Sequence, residues 1–192
     1  MTYKRTAVAQ PGGFQTRAED GEMYIEGYFA VFDSRYWLWD GAYETIERGA
    51  FDGQTTQDVR ALVNHDTTLV LGRTAAGTLE LRQDERGLWG RIRINQADQD
   101  AMNLYERVKR GDVSQCSFGF DILEQDVDNL EGLTVWRIRK VRLYEVSVVT
   151  FPAYEDTSIA ARKSEMDIIR KKKKELWRAK ILGRLKGAHN GA

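Results

Sequence analysis

Short runs in which apolar and polar residues alternate make up much of this sequence, and they restrict its fold more than any other feature. Alternation with a period of two is typical of a strand that buries one face. In the first clear run, residues 23–31, apolar or small residues occupy every second position. Further strand patterns are found at 59–63, 70–72, 78–81, 88–94, 117–123, 134–138 and 141–151. Segment 36–39 is aromatic but flanked by Gly and Asp, so we interpret it as a loop.

One helix is clearly marked in the body of the chain. Apolar residues of segment 101–108 recur at positions i, i+3, i+4 and i+7, Asp98 can cap the start, and Gly111 can close the end. Many strand patterns with one helix predict a strand-dominated α+β fold, an antiparallel β-barrel with peripheral helices. A second helix is predicted from about residue 166, with an apolar stripe formed by Ile169, Leu176, Trp177, Ile181 and Leu185.

The charge distribution divides the chain into a body and a tail. Residues 163–192 hold ten basic and three acidic residues, a net charge of +7. The whole chain balances 29 basic against 29 acidic residues, so residues 1–162 carry −7. We therefore predict a loosely ordered segment at 1–21, a catalytic body at 22–162 and a basic amphipathic helical tail at 163–192. The acidic body argues against a broad nucleic-acid-binding face.

Composition excludes several classes of protein. No apolar run approaches the roughly 20 residues that a membrane span requires, and the first residues do not resemble a secretion signal. The single cysteine, Cys116, cannot form an internal disulfide, and with only two histidines it makes a poor zinc set. We expect a reducing cytoplasm, without a metal or organic cofactor.

Two residues of the body suit nucleophilic catalysis. His65 follows the apolar run 61–63 and is the only histidine before the tail, so a body that uses imidazole as a base must use it. Ser117 lies where a strand is predicted to begin, a position that the sheet holds rigidly. A turn histidine and an ordinary polar strand residue are the simpler interpretations. Ser114 and Cys116 are rival nucleophiles, although alternation places Cys116 on the face opposite Ser117.

Glu145 interrupts the apolar run 141–151 and needs a partner if its face is buried. A histidine that donates its Nδ1 proton would suit, since an acid orients the base in this way in a catalytic triad. An arginine of the neighbouring predicted strand, Arg137 or Arg139, is the structural alternative. The residues alone leave both partners open.

Several blocks taken together resemble the prohead serine protease family of tailed phages. In order, they are GYFAVF (27–32), ERGAF (47–51), NHD (64–66), LGRT (71–74), GTL (77–79), GLW (87–89), SFGF (117–120), EVS (145–147) and TFPAY (150–154). The blocks cover residues from about 22 to 162. Their coincidence is far more specific than any single block.

The resemblance implies roles for the candidate residues. His65 would be the general base and Ser117 the nucleophile, with Glu145 as the third member and Asp66 as its rival. Such proteases are similar in fold to the herpesvirus assemblins, a β-barrel wrapped by helices. We expect the oxyanion donors in the turn at 152–154.

The implied function is capsid maturation. Such an enzyme is made in the host cytoplasm and packaged inside the prohead. There it cleaves the scaffold or the scaffolding segment of the major capsid protein, and then itself. Its partners would be that capsid protein, the protease itself as the autocleavage substrate and, in a homo-oligomer, further copies. No membrane or nucleic-acid partner is expected. The alternative is a non-enzymatic scaffolding or capsid-associated protein whose tail attaches it to the shell.

Overall fold

The computed structural model describes residues 3–5 and 14–151 and, nearer the C-terminus, residues 166–169, 171–172 and 174–178. The chain divides into two units, Met1–Tyr154 and Glu155–Ala192. Within the described residues, no helix is long and apolar enough to cross a membrane.

The first unit is built mainly of strands. They are β1 (Tyr3–Arg5), β2 (Gln15–Glu19), β3 (Glu22–Val31), β4 (Tyr36–Trp39), β5 (Ala42–Ile46), β6 (Arg60–Val63), β7 (Asp66–Arg73), β8 (Leu79–Gln83), β9 (Gly87–Ile94), β10 (Gln115–Leu130) and β11 (Leu133–Val149). A short 3₁₀ helix (Thr74–Ala76) and one α-helix, α1 (Gln99–Arg110), complete the described part of this unit.

The strands form two sheets. The larger sheet has seven strands, in the order β1-β10-β11-β5-β4, with β6 paired to β11 and β7 paired to β6. The smaller sheet is antiparallel, in the order β2-β3-β9-β8. The predicted strand-dominated α+β class is thus confirmed. The antiparallel barrel is not observed, because β5 and β6 both pair with β11 in parallel and no path of paired strands among the described residues closes on itself.

The reason for this difference is physical. Alternation marks the residues that form a strand, but it carries no information about the direction or identity of the partner. The β10–β11 pair is joined by the tight turn at Glu131 and Gly132, both with positive φ, and such a hairpin must be antiparallel. The parallel pairs bring together segments far apart in the chain, which have no comparable local signal.

The core lies between the two sheets. Phe118 and Phe120 of β10 stack with ring centroids 4.7 Å apart, and Phe51 meets Phe118 edge-on at 5.6 Å. The smaller sheet adds the buried side chains of Ile25, Phe29, Leu88 and Ile92.

Helix α1 packs against the smaller sheet and has the predicted ends. The Asp98 side chain accepts hydrogen bonds from the backbone N–H groups of Asp100 and Ala101, at 3.0 and 3.3 Å. Gly111 ends the helix in the left-handed conformation, with φ of 88°. The buried stripe consists of Ala101, Leu104, Tyr105 and Val108, as the spacing predicted.

Two segments are more regular than predicted. Residues 15–19, placed in the loosely ordered segment 1–21, form strand β2, which pairs with β3, and Phe14 beside it packs on Phe29 at 4.9 Å. Segment 36–39, predicted to be a loop, is strand β4. It pairs with β5, where buried Tyr43 contacts the Trp37 ring at 5.3 Å. In both cases the pairing partner, which local composition does not reveal, decides the structure.

The second unit contains helical residues at 166–169, 171–172 and 174–178, which agrees with the helix predicted from about residue 166. In the predicted stripe, Ile169 is partly exposed, and Leu176 and Trp177 are exposed. Ile181 and Leu185 lie outside the described residues. The boundaries 22–162 and 163–192 and the targeting role of the tail stay predictions.

Candidate active site

Strand β11 organises the site because it pairs with β10 on one side and with β6 on the other. Ser147 lies opposite Ser117 in the antiparallel pair and opposite Leu62 in the parallel pair. Glu145 lies opposite Gly119. Residues two apart in a strand share a face, as do directly paired residues, so the two serines, the acid and the glycine all belong to one face of the sheet.

The opposite face of the same strands belongs to the core. Cys116, Phe118 and Val146 all lie in the main hydrophobic cluster. The Cys116 thiol is fully buried and donates to the carbonyl of Tyr28, with Sγ and O 3.1 Å apart. Of the two rival nucleophiles, Cys116 therefore faces away from Ser117, and Ser114 is exposed in the loop before β10.

His65 lies in a two-residue turn between β6 and β7. Val63 and Asp66 are paired across the strand ends, so Asn64 and His65 are the two central residues of the turn. Both have positive φ, 48° and 61°. A tight hairpin turn requires this backbone conformation, which is uncommon for residues other than glycine and costs free energy at both positions. The Asn64 side chain secures the turn by accepting from the N–H of Thr150 at 2.9 Å.

The turn places His65 against the acid of β11. His65 Nδ1 lies 2.7 Å from Glu145 Oε1, and both side chains are about nine-tenths buried. The Ser147 hydroxyl lies 2.6 Å from Glu145 Oε2. A carboxylate can only accept hydrogen bonds, so we assign the Nδ1 proton to His65 and the hydroxyl proton to Ser147.

Neither arginine considered as a partner for Glu145 has an ion pair with it. Arg137 pairs with Asp128 at 3.0 Å, and Arg139 pairs with Asp126 at 3.0 Å. Of the two kinds of partner that the sequence left open for Glu145, the structure contains the histidine, His65.

Asp66, the rival orienting acid, bonds within its own turn. Its Oδ1 accepts from the N–H and the hydroxyl of Thr68, at 2.8 and 2.6 Å. These two bonds hold the pKa of Asp66 below its usual value, the hydroxyl having the larger effect. Oδ1 of Asp66 is therefore engaged by Thr68.

The second ring nitrogen of His65, Nε2, is available to act as a base. Nε2 is buried and has no hydrogen-bond partner among the residues that the structure describes. With the proton on Nδ1, Nε2 carries a lone pair and can accept a proton. A buried polar atom without a partner is costly in an ordinary core, and such atoms concentrate at functional sites.

Glycine at position 119 makes room for the acid. A Cβ built there would lie 3.1 Å from both Cγ and Cδ of Glu145 and would overlap its Oε1. Gly119 is the cross-strand neighbour of the acid, so its missing side chain is what admits the carboxylate to this face.

Ser117 itself is fully buried at its position opposite Ser147. The structure thus brings His65 and Glu145 into contact and places Ser117 on the strand face of Glu145, without a hydrogen bond between Ser117 and Nε2 of His65. Ser147 was missed as a candidate, although its spacing of two from Glu145 on an alternating strand is a signal that could have found it. The predicted oxyanion turn at 152–154 lies outside the described residues. Among those that are described, no group of three or more His, Cys, Asp or Glu residues could hold a metal ion.

Comparison with known proteins identifies the class of protein. Residues 13–172 match the family described as Caudovirus prohead serine protease, and the chain belongs to that family. It is 32% identical over 151 residues to the prohead protease of Enterobacteria phage HK97, covering 76% of this chain and 63% of that protein. It is 30% identical over 103 residues to the prohead protease of Escherichia phage T5, covering 54% of this chain and 45% of that protein.

In both cases the chain spans less than two thirds of the relative's length. Among solved structures, it is similar to the capsid assembly protease of bacteriophage T4, with a TM-score of 0.39 and 14% identity, over 77% of this chain and 94% of that one.

Proposed function

We propose that this protein is a serine endopeptidase of capsid assembly that works inside the prohead. Its substrates are the scaffold or the scaffolding segment of the major capsid protein, and then the protease itself. It is made in the host cytoplasm and enclosed as the shell assembles. Similarity of the fold to that of the herpesvirus assemblins is part of this proposal. It rests on the family resemblance and not on the observed strand topology.

The observation that carries the proposal is the His65–Glu145 contact of 2.7 Å, with Nε2 left without a hydrogen-bond partner among the described residues. This arrangement is what a general base needs, because the acid fixes both the ring orientation and the tautomer. Ser117 shares the strand face of Glu145 and is the nucleophile of the proposal. Membership of a serine protease family supports the same assignment.

The proposed reaction has two stages. In acylation, Nε2 of His65 takes the hydroxyl proton as Oγ of Ser117 attacks the scissile carbonyl, and then gives it to the leaving amine. In deacylation, Nε2 takes a proton from water as the water oxygen attacks the acyl carbon, and it returns that proton to Oγ of Ser117 as the acyl–Oγ bond breaks and the carboxylic product leaves. Glu145 keeps its hydrogen bond to Nδ1 and stabilises the imidazolium at each stage. We propose that backbone N–H groups of the 152–154 turn bind the oxyanion, where one donor contributes about 3 kcal/mol in a well-studied serine protease.

The tail is proposed to direct the protease to the shell. Its charge of +7 and its exposed Leu176 and Trp177 suit an acidic protein surface with an apolar strip. The body carries the opposite charge, so the two parts suit different partners.

The test is co-expression with the major capsid protein. The wild-type chain should produce cleaved capsid protein, whereas Ser117→Ala and His65→Ala should each lower cleavage by several orders of magnitude, because the members act as a unit. Ser34→Ala is the matched control, since within the described part of the chain it deletes a hydroxyl that bonds the Val31 carbonyl, 2.8 Å away, and no group of the site. Circular dichroism should show that each variant is folded.

Other outcomes would redirect the proposal. Persistent cleavage by Ser117→Ala would move the nucleophile to Ser114, the exposed rival, because Cys116 is buried in the core on the opposite face. A folded wild-type chain that joins proheads but cleaves nothing would favour the non-enzymatic scaffolding alternative.

A further inference from the structure

We propose that Ser147 is a positioning residue of this site, which locks both the orienting acid and the backbone of the general base. The inference rests on the proposed function, because it assigns how the proposed base is held. It concerns a hydroxyl that is fully buried on the strand between the nucleophile and the base.

The hydrogen bonds of Ser147 have a fixed direction. Its hydroxyl donates to Glu145 Oε2 at 2.6 Å, because a carboxylate can only accept. Its oxygen accepts from the backbone N–H of His65 at 3.2 Å, because that group can only donate. One hydroxyl therefore connects the residue that orients the imidazole with the main chain that carries the imidazole.

Glu145 is thereby held at both oxygens. Oε1 bonds Nδ1 of His65 and Oε2 bonds Ser147, so rotation of the carboxylate would break two hydrogen bonds at once. The donor direction also keeps Oε1 facing the imidazole, which fixes the tautomer that leaves Nε2 as the base.

The second bond acts on strained backbone. His65 has φ of 61°, and its N–H would lose the Ser147 acceptor if the turn relaxed. Asn64 donates its own N–H to the carbonyl of Val148 at 3.0 Å, so successive residues of the turn are tied to successive residues of β11. Through these two bonds, Ser147 fixes the distance of the His65 backbone from β11 and, by way of Glu145, the rotation of the imidazole ring.

Ser147 does not suit the role of nucleophile. Its proton is directed at Glu145, and its oxygen already accepts from the backbone N–H of His65, so the hydroxyl is engaged in holding the site. It works through Glu145 and His65, and it does not touch the reacting atoms.

The first experiment measures peptide cleavage by Ser147→Ala. We expect kcat to fall about tenfold to a hundredfold with KM nearly unchanged, because a bond to a charged group is lost while the substrate contacts remain. A matched pair isolates the hydroxyl: Thr and Val have nearly the same shape, so Ser147→Thr should retain most of the activity that Ser147→Val loses. Ser34→Ala is again the control.

The second experiment does not depend on activity. In Ser117→Ala protein, NMR should show a low-field Nδ1 proton on His65 that exchanges slowly with solvent. Adding Ser147→Ala should speed that exchange at least tenfold, since the carboxylate is no longer fixed. The chain has only two histidines, so His189 serves as the internal reference.

The two experiments separate the possible failures. If Ser147→Thr and Ser147→Val lose activity equally, or if the His65 proton is unchanged by Ser147→Ala, the positioning role is wrong. If the NMR result holds but the wild-type protein cleaves no peptide, the positioning role stands and the proposed protease function fails.

Discussion

Replacing Gly119 with alanine should disable the site without removing any of its polar groups. No positive φ is required at Gly119, so the backbone accepts alanine there. The added methyl group overlaps Oε1 of Glu145, the atom that bonds His65. To restore an ordinary van der Waals separation, the carboxylate must retreat by roughly 1 Å.

The expected loss of kcat follows from this displacement of the carboxylate. Moving Oε1 directly away from the imidazole would stretch its 2.7 Å contact with Nδ1 to about 3.7 Å, beyond the range of a hydrogen bond. The side chain of Glu145 is about nine-tenths buried and held by Ser147, so it has little room to adjust elsewhere. A misplacement of about 1 Å at a catalytic group costs about a hundredfold in rate, so we expect kcat to fall by about that factor.

The assay compares peptide cleavage and thermal unfolding for Gly119→Ala and Gly27→Ala. Gly27 is also a strand glycine without space for a methyl group, because a Cβ there would lie 2.8 Å from a ring carbon of Phe14. Its variant should unfold at a lower temperature but keep its kcat, since Phe14 belongs to the core and not to the site.

A double-mutant cycle tests the reasoning most directly. If Gly119→Ala acts through Glu145, it should cost almost nothing further in a Glu145→Ala background. An equal loss in both backgrounds would refute the steric argument, as would a Gly119→Ala enzyme with wild-type kcat.

Three shorter predictions concern the acid, the helix and the tail. Glu145→Gln should lower kcat by up to about 10⁴-fold with little change in thermal stability, whereas Asp66→Asn should leave kcat unchanged; the reverse pattern would exchange their roles. Asp98→Ala should destabilise the protein by about 1 kcal/mol, which calorimetry would detect as a fall of roughly 2–4 °C in Tm. Ending the chain after Arg162 should preserve peptide cleavage but prevent incorporation into proheads, and loss of peptide cleavage would make the tail part of the catalytic fold.

Sequence reasoning predicted those features whose signals are local. Helix α1 was predicted with both ends, because an aspartate cap, an apolar stripe and a closing glycine all lie within fourteen residues of the chain. The opposite orientations of Cys116 and Ser117 also followed from a local rule, the alternation of side chains along a strand.

Features that depend on distant pairing were not predicted. The parallel alignment of β6 with β11 brings Val63 opposite Val148, across 85 positions of sequence, and no local pattern encodes it. The partner of Glu145 remained open for the same reason, since His65 and the two arginines were equally suitable by composition. Ser147 was missed because its spacing of two from Glu145 indicates a shared strand face, whereas its two hydrogen bonds are formed only in the fold.

The position of β11 between two strands explains how three distant segments can form one site. Its antiparallel neighbour presents Ser117, and its parallel neighbour β6 ends at the turn that carries His65. Because alternation has a period of two, a slip of β11 by one residue would turn Glu145 and Ser147 into the core and bring Val146 and Val148 to the site face. The apolar face of β11 therefore fixes the register of its polar face. Burial of the core and alignment of the proposed base depend on the same strand, so a variant that loosens one should weaken the other.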